Sequence, residues 1–84
     1  MTEKEIGKIT HYFGKIGVAV LELSADLKVG DTIHIKGHSE DFNQKVESIQ
    51  IEHENIPEAR AGQSVGMKVN QKVHPGDKVF LLTE

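Results

Sequence analysis

The segment Gly62-Gln63-Ser64-Val65-Gly66 is the part of this sequence that matches a catalytic motif by residue type and spacing. It fits the G-x-S-x-G pattern, in which a serine nucleophile lies on a sharp turn between a strand and a helix of a large α/β sheet. A chain of 84 residues is too short for that sheet, and the alternation after the serine predicts a strand. We therefore interpret Ser64 as part of a glycine-flanked turn.

Histidines and carboxylates are the other groups that could do chemistry. The chain has five histidines, and His34 and His38 are four residues apart, a spacing that would align them on a helix. The local pattern there predicts a strand and then a loop, and no pair of cysteines with metal-ligand spacing exists. Glu52, Glu54 and Glu58 are interpreted as a solvated acidic surface. The sequence thus predicts no metal, no cofactor and no enzyme activity, and a small enzyme ranks last among the alternatives.

Composition limits the class of partner. Ten basic residues stand against thirteen acidic ones, the net charge is −3, and Arg60 is the only arginine. A general nucleic-acid binder usually has a basic excess, because most of its affinity comes from neutralising phosphates. The chain has no cysteine, no apolar stretch of membrane-spanning length and no signal-peptide pattern, so a cytoplasmic protein with no membrane contact is expected.

Two glycine-aspartate junctions organise the chain, one at Gly30-Asp31 and one at Gly76-Asp77. Glycine supplies the positive φ of a sharp turn, the aspartate can accept hydrogen bonds from nearby amides, and each junction precedes an apolar/polar alternation. The segment 37–43 reads as a loop, and a β-bulge near Glu47 or Ser48 would bring Val46 into phase with the apolar residues after it.

The whole chain, residues 1–84, is predicted to be one all-β domain. Six strands with one apolar face would avoid open edges best by closing into a six-stranded β-barrel. The predicted strands cover residues 6–13, 16–23, 32–36, 44–55, 65–69 and 79–82.

The order and spacing of these motifs resemble the second domain of translation GTPases, as in elongation factor Tu. The matching stretches are residues 27–35, 46–49, 59–66 and 75–79. The chain also looks like the small barrel appended to collagenase-like peptidase-family proteins associated with tRNA modification. The resemblance implies a translation-factor-type β-barrel and an ancestral role beside tRNA and the ribosome. It does not imply GTP binding by this chain alone, because the P-loop motif is absent.

The same resemblance implies a set of RNA-binding residues. The family's acidic residue at the adenine falls on Gln50, its basic neighbour falls on His53, and an asparagine of the amino-acid pocket falls on Ser64. All three are departures from the family pattern. We expect these residues, with Arg60 and with Lys68 as a phosphate contact, to form the interface with tRNA or ribosomal RNA.

A protein-docking module is the main alternative to this non-catalytic RNA-binding module. If Val79 and Leu81 face the core, Phe80 and Leu82 face outward and would form part of an apolar docking surface. The partner would then be a larger tRNA-modifying or peptidase-like enzyme, to which this barrel is accessory. Neither the RNA species nor the oligomeric state follows from the sequence.

Overall fold

Strands make up all the regular secondary structure in the described part of the chain. The structure, a computed structural model, describes residues 2–38, 40–52 and 54–83, which form ten strands and no helix. The strands are β1 Thr2–Phe13, β2 Val18–Leu23, β3 Leu27–Lys28, β4 Thr32–Lys36, β5 Asp41–Lys45, β6 Ile49–Ile51, β7 Glu54–Ile56, β8 Glu58–Ala59, β9 Ser64–Lys68 and β10 Lys78–Thr83. The prediction of an all-β fold class is confirmed, and the assignment of residues 1–84 to one domain stays a prediction.

The predicted closure into a six-stranded barrel is wrong. Eight strands form one open sheet in the order β5-β4-β10-β1-β2-β9-β6-β7, and β3 pairs with β8 in a separate two-stranded sheet. The edge strands β5 and β7 do not pair with each other. One reason is that β7 has only three residues and is followed by Pro57, which has no N–H to donate to a ladder.

Backbone hydrogen bonds from the Gly30 turn span the gap that the missing ladder leaves. The amide of Val29 donates to the carbonyl of Pro57 at 3.0 Å, and the amide of Gly30 donates to the carbonyl of Val46 at 2.9 Å. The amide of Val46 donates in turn to the carbonyl of Asp31 at 2.8 Å. Both sheets therefore enclose one core, whose buried apolar residues come from one face of nearly every strand.

β1 lies in the middle of the sheet, and irregularities in its pairing explain why apolar and polar residues alternate imperfectly along it. It pairs with β10 and with β2, and the register shifts between Glu5 and Gly7 in one ladder and between Ile9 and His11 in the other. Each shift marks a bulge or irregularity, which changes the face that the following side chains occupy. This is why Ile6 and Gly7, adjacent in sequence, are both buried.

Both glycine-aspartate junctions form the turns that the sequence predicts. Gly30 and Gly76 have φ values of 99° and 96°. The Asp31 carboxylate accepts from the amide of Lys28 at 3.0 Å, and the Asp77 carboxylate accepts from the amide of His74 at 2.9 Å. β4 and β10 begin directly after these aspartates.

The segment between the two junctions departs from the prediction. Residues 41–45, which lie partly in the predicted loop, form β5 and pair with β4. The expected bulge near Glu47 or Ser48 is a complete break, since β5 ends at Lys45 and β6 begins at Ile49 with different partners. Apolar and polar residues alternate in the same way along one bulged strand and along two strands that pair with different neighbours, so the sequence pattern does not distinguish the two cases.

Candidate functional site

A shallow cleft on the outer face of the large sheet is the best candidate for a functional site. We call it the outer cleft. It has a volume of about 250 Å³ and crosses β1, β2, β9 and β6, which are neighbours in the sheet. Its lining residues are Phe13, Ile16, Val18, Val20, Gln50, Ile51, Glu52, Ser64, Val65 and Gly66.

The alternation of β2 and β9 places apolar side chains around this cleft. Along β2, Leu21 is buried while Val18 and Val20 are half-buried, so the two valines belong to the outer face. In β9, Gly66 pairs with Val20 on one side and with Gln50 on the other. Because glycine has no side chain, the floor of the cleft stays open at this position; a Cβ there would lie 3.4 Å from Cγ1 of Val18.

Two large apolar side chains at the rim are exposed. Phe13, the last residue of β1, is 51% exposed, and Ile16, within the turn that joins β1 to β2, is 67% exposed. The amide of Ile16 donates to the carbonyl of Phe13 at 3.3 Å, and Gly17 completes the turn with a φ of 65°. Exposed apolar side chains grouped beside an apolar cleft are typical of an interaction surface.

Polar groups occupy the opposite wall. Gln50 lies in β6, and its side-chain amide donates to the Asn55 side chain of β7 at 3.0 Å, which holds it in place. Glu52 is the charged residue among the described residues that line the cleft, and its carboxylate is acidic. It lies at the β6–β7 turn with a positive φ of 51°. Ser64 is exposed at the start of β9, so Gly62 to Gly66 is a turn that leads into a strand.

The predicted RNA-binding residues are only partly brought together. Gln50 and Ser64 both line the outer cleft, whereas Arg60 and Lys68 do not. Arg60 is exposed in the β8–β9 turn, where its amide donates to the side chain of Gln63 at 2.8 Å. Lys68 lies at the other end of β9, about 13 Å from Ser64 at a rise of roughly 3.3 Å per residue. The prediction for His53 lies outside the described residues.

The apolar residues expected to face outward on the C-terminal strand are only partly exposed. Val79 is buried as predicted, but Phe80 and Leu82 are half-buried. The Phe80 ring lies against His34 of the neighbouring strand β4, with ring centroids 6.0 Å apart. The sequence interpretation does not include the exposed pair Phe13 and Ile16, although one apolar residue at the edge of a glycine-containing turn and one within it could have indicated it.

An imidazole is held between two carboxylates elsewhere on the sheet. His34 contacts Glu3 of β1 at 2.7 Å through Nδ1 and contacts Asp41 of β5 through Nε2. The hydrogen bond to Asp41, assisted by Glu3, raises the pKa of His34 above 6.5. The same contact lowers the pKa of Asp41 below 3.8. This arrangement ties three strands together and is a structural group.

A second group of titratable side chains contains two buried carboxylates. Asp77 and Glu40 are only 3% and 9% exposed, and His74 contacts Glu40 through Nδ1. Burial raises the pKa of Asp77. The hydrogen bond from the amide of His74 acts in the opposite direction, and the neighbouring Glu40 raises this pKa further. None of these residues lines the outer cleft.

Comparison with known proteins places the chain among peptidase-like relatives. It is 43% identical over 81 residues to an uncharacterized protease of Methanocaldococcus jannaschii, a match that covers 95% of this chain and 20% of that protein. It is 39% identical over 77 residues to a collagenase of Porphyromonas gingivalis, which covers 89% of this chain and 21% of that protein. The chain spans about a fifth of the length of these curated relatives. No family model matches the chain.

Solved structures agree with these relatives on the fold. Two crystal structures of the C-terminal domain of a protein from Geobacillus thermoleovorans, assigned to the U32 peptidases, superpose with TM-scores of 0.86 and 0.89. The first is 25% identical and covers 90% of this chain and 96% of that one; the second is 24% identical and covers 95% and 93%.

The chain therefore has the fold of the C-terminal domain of that U32 peptidase. These findings support the resemblance to collagenase-like peptidases, and the resemblance to elongation factor Tu stays a prediction. Among the residues that the structure describes, no helix has the length and apolarity needed to cross a membrane.

Proposed function

We propose that this chain is a non-catalytic docking module of a larger peptidase-like protein, and that the outer cleft is its docking surface. The observation that carries the proposal is the exposure of Phe13 and Ile16 at the rim of an apolar cleft. The match to a fifth of the length of peptidase-like relatives supports a larger partner, because the remaining four fifths of such a protein offer a surface for docking.

Burial of the rim side chains is the driving force. Covering an exposed large apolar side chain is worth about 1.5–3 kcal/mol at most, so Ile16 and Phe13 together contribute several kcal/mol before the costs of association. An interface of this size is weak between separate molecules. Such a weak interface is sufficient for docking where a short tether holds the two surfaces at an effective concentration near the millimolar range.

The cleft also indicates the chemistry of its partner. Its walls are mainly apolar, and Glu52 is the charged member among the described lining residues. The matching surface would present an apolar side chain flanked by a basic group, which would pair with Glu52 at the edge of the contact. The net charge of −3 adds a weak long-range attraction for such a basic surface.

An NMR titration tests the docking proposal directly. The ¹⁵N-labelled chain is mixed with the M. jannaschii relative from which the matching segment has been deleted. We expect saturable amide shifts near Phe13, Ile16 and Gly66, and their loss in Ile16→Glu. The matched control is Val29→Glu, since Val29 is also exposed, at 42%, but lies in the β3–β4 turn away from the cleft. Equal binding by both variants, or no binding by the unmodified chain at partner concentrations up to about 1 mM, would refute docking through this cleft.

RNA binding is a second candidate, favoured by one observation. Gln50 and Ser64, which were predicted to contact an aminoacylated adenosine, line the same cleft as the Phe13 ring, on which a base could stack. His53, Arg60 and Lys68 complete the predicted contact set. The acidic balance of the chain weighs against this reading, and the relatives found are peptidase-like.

The same labelled chain distinguishes the two candidates. An aminoacyl-tRNA acceptor-stem mimic, titrated at low and at physiological salt, would produce saturable shifts at Gln50 and Ser64 if tRNA is the partner. Shifts that are diffuse and vanish at physiological salt would exclude a specific RNA role.

The cytoplasmic location expected from the sequence stays a prediction.

A further inference from the structure

Glu40, His74 and Asp77 form a group whose side chains converge from two distant segments of the chain. Each offers one ligand atom, and the three atoms lie within 4.8 Å of one another. The group lies where Gly37 and Glu40 pack against the glycine-aspartate junction before β10. We propose that this group is a binding site for a divalent transition-metal ion, zinc in the first instance, that is independent of the outer cleft.

The donor set suits such an ion. Imidazole nitrogen and carboxylate oxygen are the ligands that zinc takes alongside thiolates, and three protein ligands with one open position form a common zinc arrangement. Ligand atoms around a tetrahedral zinc lie about 3.4 Å apart at bond lengths of roughly 2.0–2.2 Å. The observed spread therefore needs only a small adjustment. His74 can make it, because its side chain is 52% exposed and can turn about its own bonds.

Comparing the two glycine-aspartate junctions shows which features belong to the turn itself and which belong to the proposed metal site. In both, the aspartate accepts from the amide three residues before it, and its own amide donates back to the carbonyl of that residue at 3.1 Å. Asp31 does this while only half-buried. Asp77 is nearly fully buried and faces Glu40 and His74. The turn alone does not require this burial. Asp77 shares a side-chain hydrogen bond with Glu40, and His74 contacts Glu40. The two carboxylates therefore converge on one position, which a proton shared between them, or a divalent cation in its place, would fill.

The surroundings hold the ligands in place. The amide of Gly76 donates to the carbonyl of Ile9, and the amide of Ile9 donates to the carbonyl of Asp77, both at 2.7 Å. The junction is thus clamped to the central strand β1. Opposite it, Gly37 leaves the space that the Asp77 carboxylate fills, because a Cβ at that position would lie 1.8 Å from Oδ1. Ligands supported by a rigid second layer of hydrogen bonds bind metal more tightly than ligands on free loops.

Zinc chloride, titrated into the full chain, tests the site by calorimetry and by thermal unfolding. We expect one saturable site, and a midpoint of unfolding that rises with zinc concentration because the ion binds only the folded state. His74→Gln and Glu40→Gln are expected to weaken binding at least about tenfold. His11→Gln is the matched control, since His11 is an exposed histidine on the β1–β2 hairpin, and it should bind zinc like the unmodified chain.

Three results would overturn the proposal. One is the absence of a saturable site at zinc concentrations up to about 1 mM, the weak limit of specific binding. Another is unchanged affinity in both ligand variants. The third is equal weakening by His11→Gln, which would mean that zinc binds surface histidines at random. If His74→Gln does not fold, Glu40→Gln carries the test with the same control. Docking through the outer cleft stands or fails separately, because Ile16→Glu leaves these ligands intact.

Discussion

Replacing Gly7 by alanine should destabilise this protein more than its small size suggests. Gly7 is buried in β1 and lies between β2 and β10, with Leu23 and Val79 as its partners. A Cβ at this position would lie 2.6 Å from the carbonyl oxygen of Glu22 and 3.4 Å from Cα of Leu23. A carbon and a carbonyl oxygen approach to about 3.3 Å in sheets, so the two strands would have to separate by roughly 0.7 Å.

The cost follows from what would have to move. Both contacting atoms belong to the backbone of β2, which is held in the ladder with β1 and by the hydrogen bond from the amide of Ser24 to the carbonyl of Ile6 at 2.7 Å. Overpacking that shifts backbone costs about 2–4 kcal/mol. A chain of 84 residues has a total stability of about 4–13 kcal/mol at typical per-residue values, so the substitution removes a large fraction of it.

Urea denaturation of Gly7→Ala beside Gly66→Ala measures this effect. The control is matched in chemistry. A Cβ at Gly66 would lie 3.4 Å from Cγ1 of Val18 and 3.8 Å from the backbone oxygen of Gln50, which are ordinary contacts, so a change within about 1 kcal/mol is expected there. The m-value should stay the same in both variants, since the exposed surface on unfolding is unchanged. A loss of less than about 1 kcal/mol in Gly7→Ala, or no more than in the control, would refute the close approach of β1 and β2.

Two further predictions concern the titratable groups. Gly37→Ala should push the Asp77 carboxylate from its position and break its hydrogen bond from the amide of His74, at a cost of about 1–3 kcal/mol; an unchanged amide proton shift of His74 would contradict it. His34→Gln should flatten the dependence of thermal stability on pH. Because the pKa of His34 is raised, its stabilisation is complete below pH 6.5 and is lost as the pH rises through the folded-state pKa. The lowered pKa of Asp41 sets the acid limit, since its contribution is present above pH 3.8 and is lost as the pH falls through its folded-state pKa. A pH profile of unfolding midpoints identical to that of the unmodified chain would exclude this role for His34.

The zinc and docking proposals differ in what the sequence could reveal. His74 and Asp77 are close neighbours in the chain, but Glu40 comes from a turn more than thirty residues earlier, so no motif spacing joins all three. The docking surface was expected at Phe80 and Leu82, and both are half-buried in the structure.

Local chemistry alone determined the all-β fold class and the glycine-aspartate turns of this protein. Gly30 and Gly76 adopt the positive φ that their position before an aspartate predicts, and β4 has the predicted bounds. Positive φ and a two-residue period are properties of neighbouring residues, so a sequence pattern is enough to indicate them.

Tertiary structure alone decided how the strands pair, where the sheet stays open and which side chains meet. The outer cleft joins Phe13, Ile51 and Gly66, which are far apart in the chain and become neighbours only through the order β1-β2-β9-β6. The register shifts in β1 decide which face each of its side chains occupies, and a single-residue slip would exchange the faces. Pairing between distant segments depends on the free energy gained by burial across the whole chain and on the entropy lost in closing the loops. A local sequence pattern does not contain that information.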